Sequence, residues 1–463
     1  MVKNVSFDLD HSGQPIRGYG VVQDITEQKL TEAKIRHLAD IDELTGLPNR
    51  RRGIELAEDT VEKSAHQKKS VALIYIDLDK FKEINDIHGH AIGDSVLAVI
   101  GQRFLEKTSV DSVFSRLGGD EFMLAHSFSC YEALNEEISG LLEAVSKPLQ
   151  IGDIALQLEA SIGAAVFPEQ GHCVETLMQY ADIAMYQAKK MGSAFQFYST
   201  ELGEYHTRQI ILASKLKRAI DESTLQVYFQ PKVCFSKGKL CGIEALARWH
   251  DPEYGWISPT EFIKVAENNG LISRLDDWSL ATVCSYWRTW RDEGLALPAS
   301  ISVNVSARQL SDNTFLDRAL VLIKQYKISP EDIDFEITET ALFDDLSKVQ
   351  EIVIKLVSSG FSLSIDDFGT GYSSLSRLHK LSISQLKIDM SFIQDMLTNQ
   401  SSLSIVTAVI NMAKVLNLNT IAEGVETKEQ HEMLAKLGCD QGQGYYYSRP
   451  LSVDVFMSNW LKT

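Results

Sequence analysis

The sequence predicts a multidomain α/β chain: a mixed α/β region first, then a βα barrel that begins with an antiparallel strand. Three observations lead there. At 463 residues the chain is too long for a single hydrophobic core. A hydrophobic content of 44% with 9% aromatics belongs to packed globular domains rather than to a disordered chain. From about residue 224 onward, short β-rich runs are mostly separated by helical stretches, the rhythm that closes parallel strands into a barrel.

Taken in order, residues 1–23 read as two short strands, VSFDLD and IRGYGVVQD, joined by HSGQP. Two strands bury no core alone, so they read as the tail of a larger domain. Residues 24–42 turn helical, with Leu30, Ala33, Leu38 and Ile41 loosely on one side, as a plain linker or a dimerising helix. TGLPNR (45–50) breaks that helix with Gly and Pro. VALIYIDLD (71–79) is a buried strand that turns acidic at its end, and HGHAIGDSVLAVIGQRFLE is helical. In RLGGDEF (116–122) a Gly-Gly pair between apolar runs is a hairpin signal, which puts Asp120 and Glu121 at a turn. LQLEASIGAAVFP is strand-like, ETLMQYADIAMYQAKKMG is helical, and a second linker helix surrounds ILASKLKRAI (211–220).

The last part carries the runs LQVYFQPKV, LCGIEALARW, SISVNVS, IDFEITE, FSLSIDDFG, SQLKIDM, NTIAEGVE and QGQGYYYS. Only a turn centred on FSKGK joins the first two, too short for a crossover, so they form an antiparallel hairpin. Nearly every run carries a polar residue that an apolar core would not want: Glu244, Asn304, Glu336, Asp366 with Asp367, Lys387, Glu423 and Gln443. Any one alone fits a solvated strand end, but in a closed barrel all of them converge on one mouth. Their donors are hard oxygens with no thiolate or paired histidine, which favours Mg²⁺, Mn²⁺ or Ca²⁺. Adjacent Asp366 and Asp367 can bridge two ions that clamp the oxygens of a phosphodiester, with Lys387 as a compact cation beside them. FGTGYSS lacks the ending of a P-loop and reads as a loop over the site.

Charge and cysteines bound the partners. A formal net charge of −18 excludes a nucleic-acid polymer but admits a small phosphorylated ligand held through metal ions. Six scattered cysteines with no C-x-x-C pair fit a reducing compartment. No apolar run is long enough to span a membrane, and MVKNVSFDLD is not a signal peptide, so the expectation is a cytoplasmic chain without membrane contact. An anchor upstream of this segment is left open.

EALAR, VNVS, EITE, DDFGTGYSSL, KID, EGVE and QGYYYSRP resemble, in order, the motifs of EAL-domain cyclic di-GMP phosphodiesterases over residues 224–463. The resemblance implies metal ligation by Glu244, Asn304, Glu336, Asp366 and Asp367, with Gln443 lining the metal site and two Mg²⁺ or Mn²⁺ ions bound. It implies that Lys387 and Glu423 assist the water nucleophile and that Glu339 steadies the Asp-Asp loop. Arg248 and Asp389 would contact the substrate. The implied reaction opens cyclic di-GMP to linear pGpG.

Residues 43–198 are similarly identified with the GGDEF diguanylate cyclase family through DELTGLPNR, IDLDKFKEINDIHGHAIGD, RLGGDEF and ASIGAAVFP. That family implies a central, mostly antiparallel sheet flanked by helices, GTP bound with one or two ions, and a homodimer. Asp77 and Asp120 would hold metal, Glu121 would handle the 3′-hydroxyl proton, and Asn85 with Asp94 would read guanine. Gly118 and Gly119 form the nucleotide-bearing turn, and Lys189 grips phosphate. Two departures stand out. AKKMGSA places Ser193 and Ala194 where the family often has Arg and Asn, and Ser109 and Ser112 replace the R-x-x-D inhibition site. VVQDITEQK resembles the exit of a PAS sensor domain, so residues 1–23 read as a PAS remnant, with linker helices at 24–42 and 199–223. The expectation is a phosphodiesterase regulated by GTP at the GGDEF domain. A bifunctional enzyme that also condenses GTP, and a non-catalytic cyclic di-GMP receptor, are the alternatives.

Overall fold

The computed structural model describes residues 2–23, 39–107, 112–343, 346–369 and 383–462. Most of the first linker helix, Ser109 and the TGYSS part of the loop lie outside them. The chain divides into two compact units, Met1–Arg208 and Gln209–Thr463.

In the first unit, β1 (Val2–Leu9) and β2 (Pro15–Gln23) form an antiparallel hairpin. The main sheet contains β3 (Ser70–Leu78), β4 (Ser112–Gly118), β5 (Glu121–Phe128), β8 (Ala160–Phe167) and β9 (Phe195–Phe197), in the order β4-β5-β3-β8-β9. A separate small hairpin joins β6 (Leu149–Ile151) to β7 (Ile154–Leu156). All pairs in the main sheet are antiparallel except β8–β9. Every residue of β8 is buried, as expected of a central strand covered on both faces. Helix Val174–Met191 covers one face with Leu177, Ala181, Ala184 and Ala188 at helical spacing. It lies so close to β8 that a Cβ at Gly163 would stand 2.0 Å from the Ala181 carbonyl oxygen.

In the second unit, β10 (Gln226–Cys234) and β11 (Lys239–Asp251) make the expected antiparallel hairpin, with the short β12 (Gly255–Ile257) on β11. β13 (Ser300–Asn304), β14 (Ile333–Thr338), β15 (Ser362–Phe368), β16 (Gln385–Ile388), β17 (Asn419–Ala422) and β18 (Gln441–Gly442) follow in parallel. β11 pairs with β13, and β10 pairs with both β18 and β11, so the barrel closes. The last run is a strand only at Gln441–Gly442, because the chain turns at Gly444 (φ +152°).

The aromatic helix Ile272–Asp292 packs Val283, Cys284, Trp287 and Trp290 into the barrel core. A second core beside it joins Leu212, Leu216 and Ile220 of helix Thr200–Asp221 to Trp249, Phe262 and Val265.

Candidate active site

Parallel strands of similar register bring their ends to one level, and here that level is acidic. Glu244 lies opposite Ser302, Asn304 opposite Glu336, and Asp366 opposite Thr338. At the centre is Lys387, completely buried on β16. Its Nζ lies 2.6 Å from Glu336 Oε2, 2.7 Å from Glu423 Oε1, 2.9 Å from Asp366 Oδ1 and 3.8 Å from Glu244 Oε1. Asn304 Nδ2 donates to Glu244 Oε1 at 3.1 Å, and Gln443 Nε2 donates to the other oxygen of Glu244. Carboxylate oxygens of Asp366, Asp367 and Glu423 all lie within 4.8 Å of one another. Asp367 sits at φ +54°, an unusual place for a non-glycine residue and one that often marks a functional turn. Glu339 Oε2 accepts the Gly369 backbone N–H at 2.9 Å, which ties the end of β15 to the start of helix Glu339–Phe343. Asp389 hydrogen-bonds the Asp367 side chain and also caps the helix that follows β16, accepting from the Ser391 backbone N–H at 2.9 Å.

The electrostatics follow from burial. Desolvation, aided by Glu336, pushes the Glu244 carboxyl up to about 7, and desolvation with Asp366 pushes Asp367 up to about 6. Glu423 is also raised well above the carboxylate range, chiefly by burial. Burial would raise Glu336 too, but Lys232 and Lys387 outweigh it and hold that carboxyl at about 2.

Six carboxylates, on Glu244, Asp334, Glu336, Asp366, Asp367 and Glu423, face two ammonium groups, on Lys232 and Lys387. With all six ionised, the excess of four negative charges would match two divalent cations, and Asp389 beside Asp367 and Arg248 beside Glu244 add one charge of each sign. Gln443 Oε1 is buried without a hydrogen-bond partner. A hard oxygen left over in an acidic ring fits an oxygen-ligated divalent metal.

Two recesses open from this ring. One, of about 500 Å³, is walled by Leu246, Ile263 and Leu275 and includes Asp276. The other, of about 280 Å³, includes Gln230, Met390, Tyr445 and Pro450. Glu244, Arg248 and Glu423 border both. The Arg248 guanidinium donates to the Ala247 carbonyl at 2.8 Å and lies 5.8 Å from the Tyr228 ring centre.

Sequence reasoning missed Lys232, Gln230, Asp334 and Asp276. Gln230 accepts from Gln443 at 2.9 Å, and Asp276 is pushed up to about 7 by burial despite its bond to Ser306. The available signal was Gln230 and Lys232 inside LQVYFQPKV, a run otherwise apolar but for Gln226 at its start.

In the first unit Asp77, the last but one residue of β3, lies directly opposite Glu121 on β5. Lys189 pairs with Asp77 and lies 3.9 Å from Asp79. Tyr75, also missed from the sequence, donates its hydroxyl to Glu121 Oε2 at 2.8 Å. Gly118 (φ +146°) and Gly119 (φ +54°) make the turn, and Asp120 follows them, its carbonyl accepting from Leu78. Arg116 pins that turn, donating to the Gly119 carbonyl at 2.8 Å and to both Asp42 oxygens at 3.0 and 3.1 Å. Asn85 lies in the interior of helix Phe81–His88 and is not its cap. Its amide oxygen lies over Gly93, next to Asp94 on the adjoining helix. Ser193 and Lys189 line a recess of about 710 Å³ together with Asp79, Lys80 and Ser161.

Comparison with known proteins places these two sites. The EAL domain family model matches residues 213–450, and the model for diguanylate cyclase, GGDEF domain, matches residues 39–194. The chain is 35% identical over 440 residues to cyclic di-GMP phosphodiesterase PdeR of Escherichia coli, covering 95% of this chain and 66% of that protein. It is 35% identical over 426 residues to bifunctional diguanylate cyclase/cyclic di-GMP phosphodiesterase MucR of Pseudomonas aeruginosa, covering 91% and 62%. It therefore spans less than two thirds of the length of either relative. Among solved structures, the PaMucR phosphodiesterase in complex with c-di-GMP is 37% identical with a TM-score of 0.51, covering 53% of this chain and 99% of that one. The chain thus belongs to the EAL-domain family and carries a GGDEF domain ahead of its EAL domain.

Proposed function

We propose that the second unit is a divalent-metal-dependent phosphodiesterase that opens cyclic di-GMP to linear pGpG, and that the first unit binds GTP and regulates it. The observation that carries this reading is the acidic ring around Lys387, whose carboxylates, once ionised, would exceed its cations by the charge of two divalent ions. Glu244, Asn304, Glu336, Asp366, Asp367 and Gln443 would hold Mg²⁺ or Mn²⁺. When bound, such ions supply a water of lowered pKa and neutralise charge on the phosphodiester.

The chain's own groups do the rest. Lys387, fixed by Glu336, Asp366 and Glu423, presents an immobile ammonium at the reacting phosphate. Glu423 neighbours that ammonium, and burial raises its pKa, which suits it to hold and pass a proton beside the reacting oxygens. Arg248, at the border of the two recesses, would hold a phosphate, with one base of the substrate on either side. Water adds to phosphorus, the P–O3′ bond breaks, and the 3′-oxygen leaves with a proton. The test is incubation with cyclic di-GMP and Mg²⁺ or Mn²⁺, with and without GTP. Accumulation of pGpG is expected, and no product under either condition would refute the reading.

A second reading, a bifunctional enzyme, is favoured by the direct opposition of Asp77 and Glu121 at the GGDEF turn. Cyclic di-GMP formed from GTP by a Glu244→Ala variant would establish it. The hairpin Val2–Gln23 is read as the end of a PAS domain, and a homodimer as the arrangement that faces two GTP sites. No helix among the described residues is long and apolar enough to cross a membrane, and a cytoplasmic location belongs to the same proposal.

A further inference from the structure

Lys232 takes no part in the reaction drawn above, yet the barrel is built around it. β10 runs against its neighbours, and its register with β11 slips between Lys232 and Val233: Lys232 faces Gly242 while Val233 faces Leu240. The extra residue is Cys241 on β11, and Lys232 faces the ring because it stands two residues from Gln230 on the same side of β10. The missing side chain at Gly242 makes room for the lysine stem, since a Cβ there would stand 3.2 Å from Lys232 Cδ. The stem delivers Nζ to 2.5 Å from Glu336 Oε1 and 2.5 Å from Ser302 Oγ, with Asp334 Oδ2 at 3.8 Å. Ser302 and Ser364 donate in turn to Asp334 at 2.7 to 2.9 Å.

Glu336 is therefore gripped on both oxygens, by Lys232 on Oε1 and by Lys387 on Oε2 at 2.6 Å. A buried ammonium is costly unless its partners are well placed, and the strand alternation of β10, the glycine and the two serines together place them. We infer that Lys232 is a positioning residue for the metal site: it fixes the orientation of Glu336, one of the groups through which the ring would hold divalent cations. The inference rests on the phosphodiesterase reading only in taking Glu336 as a ligand.

The rival role is purely structural, with Lys232 as no more than the counter-ion of Asp334. Lys232→Met removes the ammonium but strands a buried carboxylate. Lys232→Met combined with Asp334→Asn removes cation and anion together, keeps the net charge of the interior, and leaves an amide oxygen in place of the carboxylate to accept from both serines. Mn²⁺ binding to the full chain is measured by calorimetry, with the first unit contributing equally to every curve. The double variant is expected to melt near the wild type and to bind Mn²⁺ about 10–100-fold more weakly, the usual effect of removing a group that orients a ligand. Its kcat should fall while KM for cyclic di-GMP is unchanged. Wild-type Mn²⁺ affinity in the double variant would overturn the inference and leave Lys232 as a counter-ion. A wild-type protein that binds Mn²⁺ but releases no pGpG defeats the phosphodiesterase reading instead, and the Mn²⁺ comparison still decides the role of Lys232.

Discussion

Glu244 is under two opposed demands, burial that favours its neutral form and a ligand role that needs its charge. Its carboxyl is pushed from 4.5 up to about 7, and that of Asp367 from 3.8 up to about 6. Between their ordinary and raised values the folded, metal-free protein keeps protons that the unfolded chain has released. Its stability therefore falls as pH rises from about 4 to 7 on account of these groups. Divalent metal requires the deprotonated ligands, so its affinity rises across the same window. The gain in melting temperature on adding Mn²⁺ should be larger near pH 7.5 than near pH 5.5, and an equal gain at both would contradict this assignment. Glu244→Gln keeps shape and hydrogen bonding but removes the charge. Chromatography of the products should show hydrolysis reduced on the order of 10²-fold or more. At the other site, Ser193→Arg restores a cation to the recess beside Lys189. It should tighten GTP binding by about 1.5–3 kcal/mol in a fluorescence titration, and unchanged binding would show that Ser193 costs the site no phosphate contact.

The strands show why some of these residues were legible in the sequence and others were not. Reading the C-terminal ends of parallel strands finds Asn304, Glu336, Asp366 and Lys387, because polar groups there interrupt apolar runs. The same rule fails on β10, which points the other way. Gln230 pairs with Glu244 in mid-strand, so a residue at the level of the mouth is followed by four more strand residues. Lys232 was hidden for the same reason, and Tyr75 because an aromatic in a strand is ordinary unless its hydroxyl is seen to find a carboxylate. Asp276 lies on a helix, where no strand rule reaches it. The hairpin at FSKGK and the turn at Gly118–Gly119 were readable because short connections allow few geometries. The turn after β18 was not, since QGQGYYYS continues to look like a strand. There a Cβ on Gly444 would stand 2.2 Å from the Val425 carbonyl oxygen. Gly444→Ala should lower stability by about 1–3 kcal/mol and displace Gln443 from the ring, read as a lower melting temperature together with weaker Mn²⁺ binding.

For the molecule as a whole, the family comparison and the two compact units agree on a nucleotide-type domain followed by a barrel. The motif set alone would start the barrel at its first strand. Helix Thr200–Asp221, however, places Leu212, Leu216 and Ile220 against Trp249, Phe262 and Val265. Each large aliphatic side chain removed from such a core costs about 2–5 kcal/mol, which together would exhaust the stability of an ordinary domain. A recombinant fragment begun at Thr224 should therefore precipitate or melt early, whereas one begun at Thr200 should stay soluble and hydrolyse substrate. Equal solubility of the two would show the helix to be dispensable. A gene trimmed to the visible motifs would give an insoluble product, easily mistaken for an inactive enzyme.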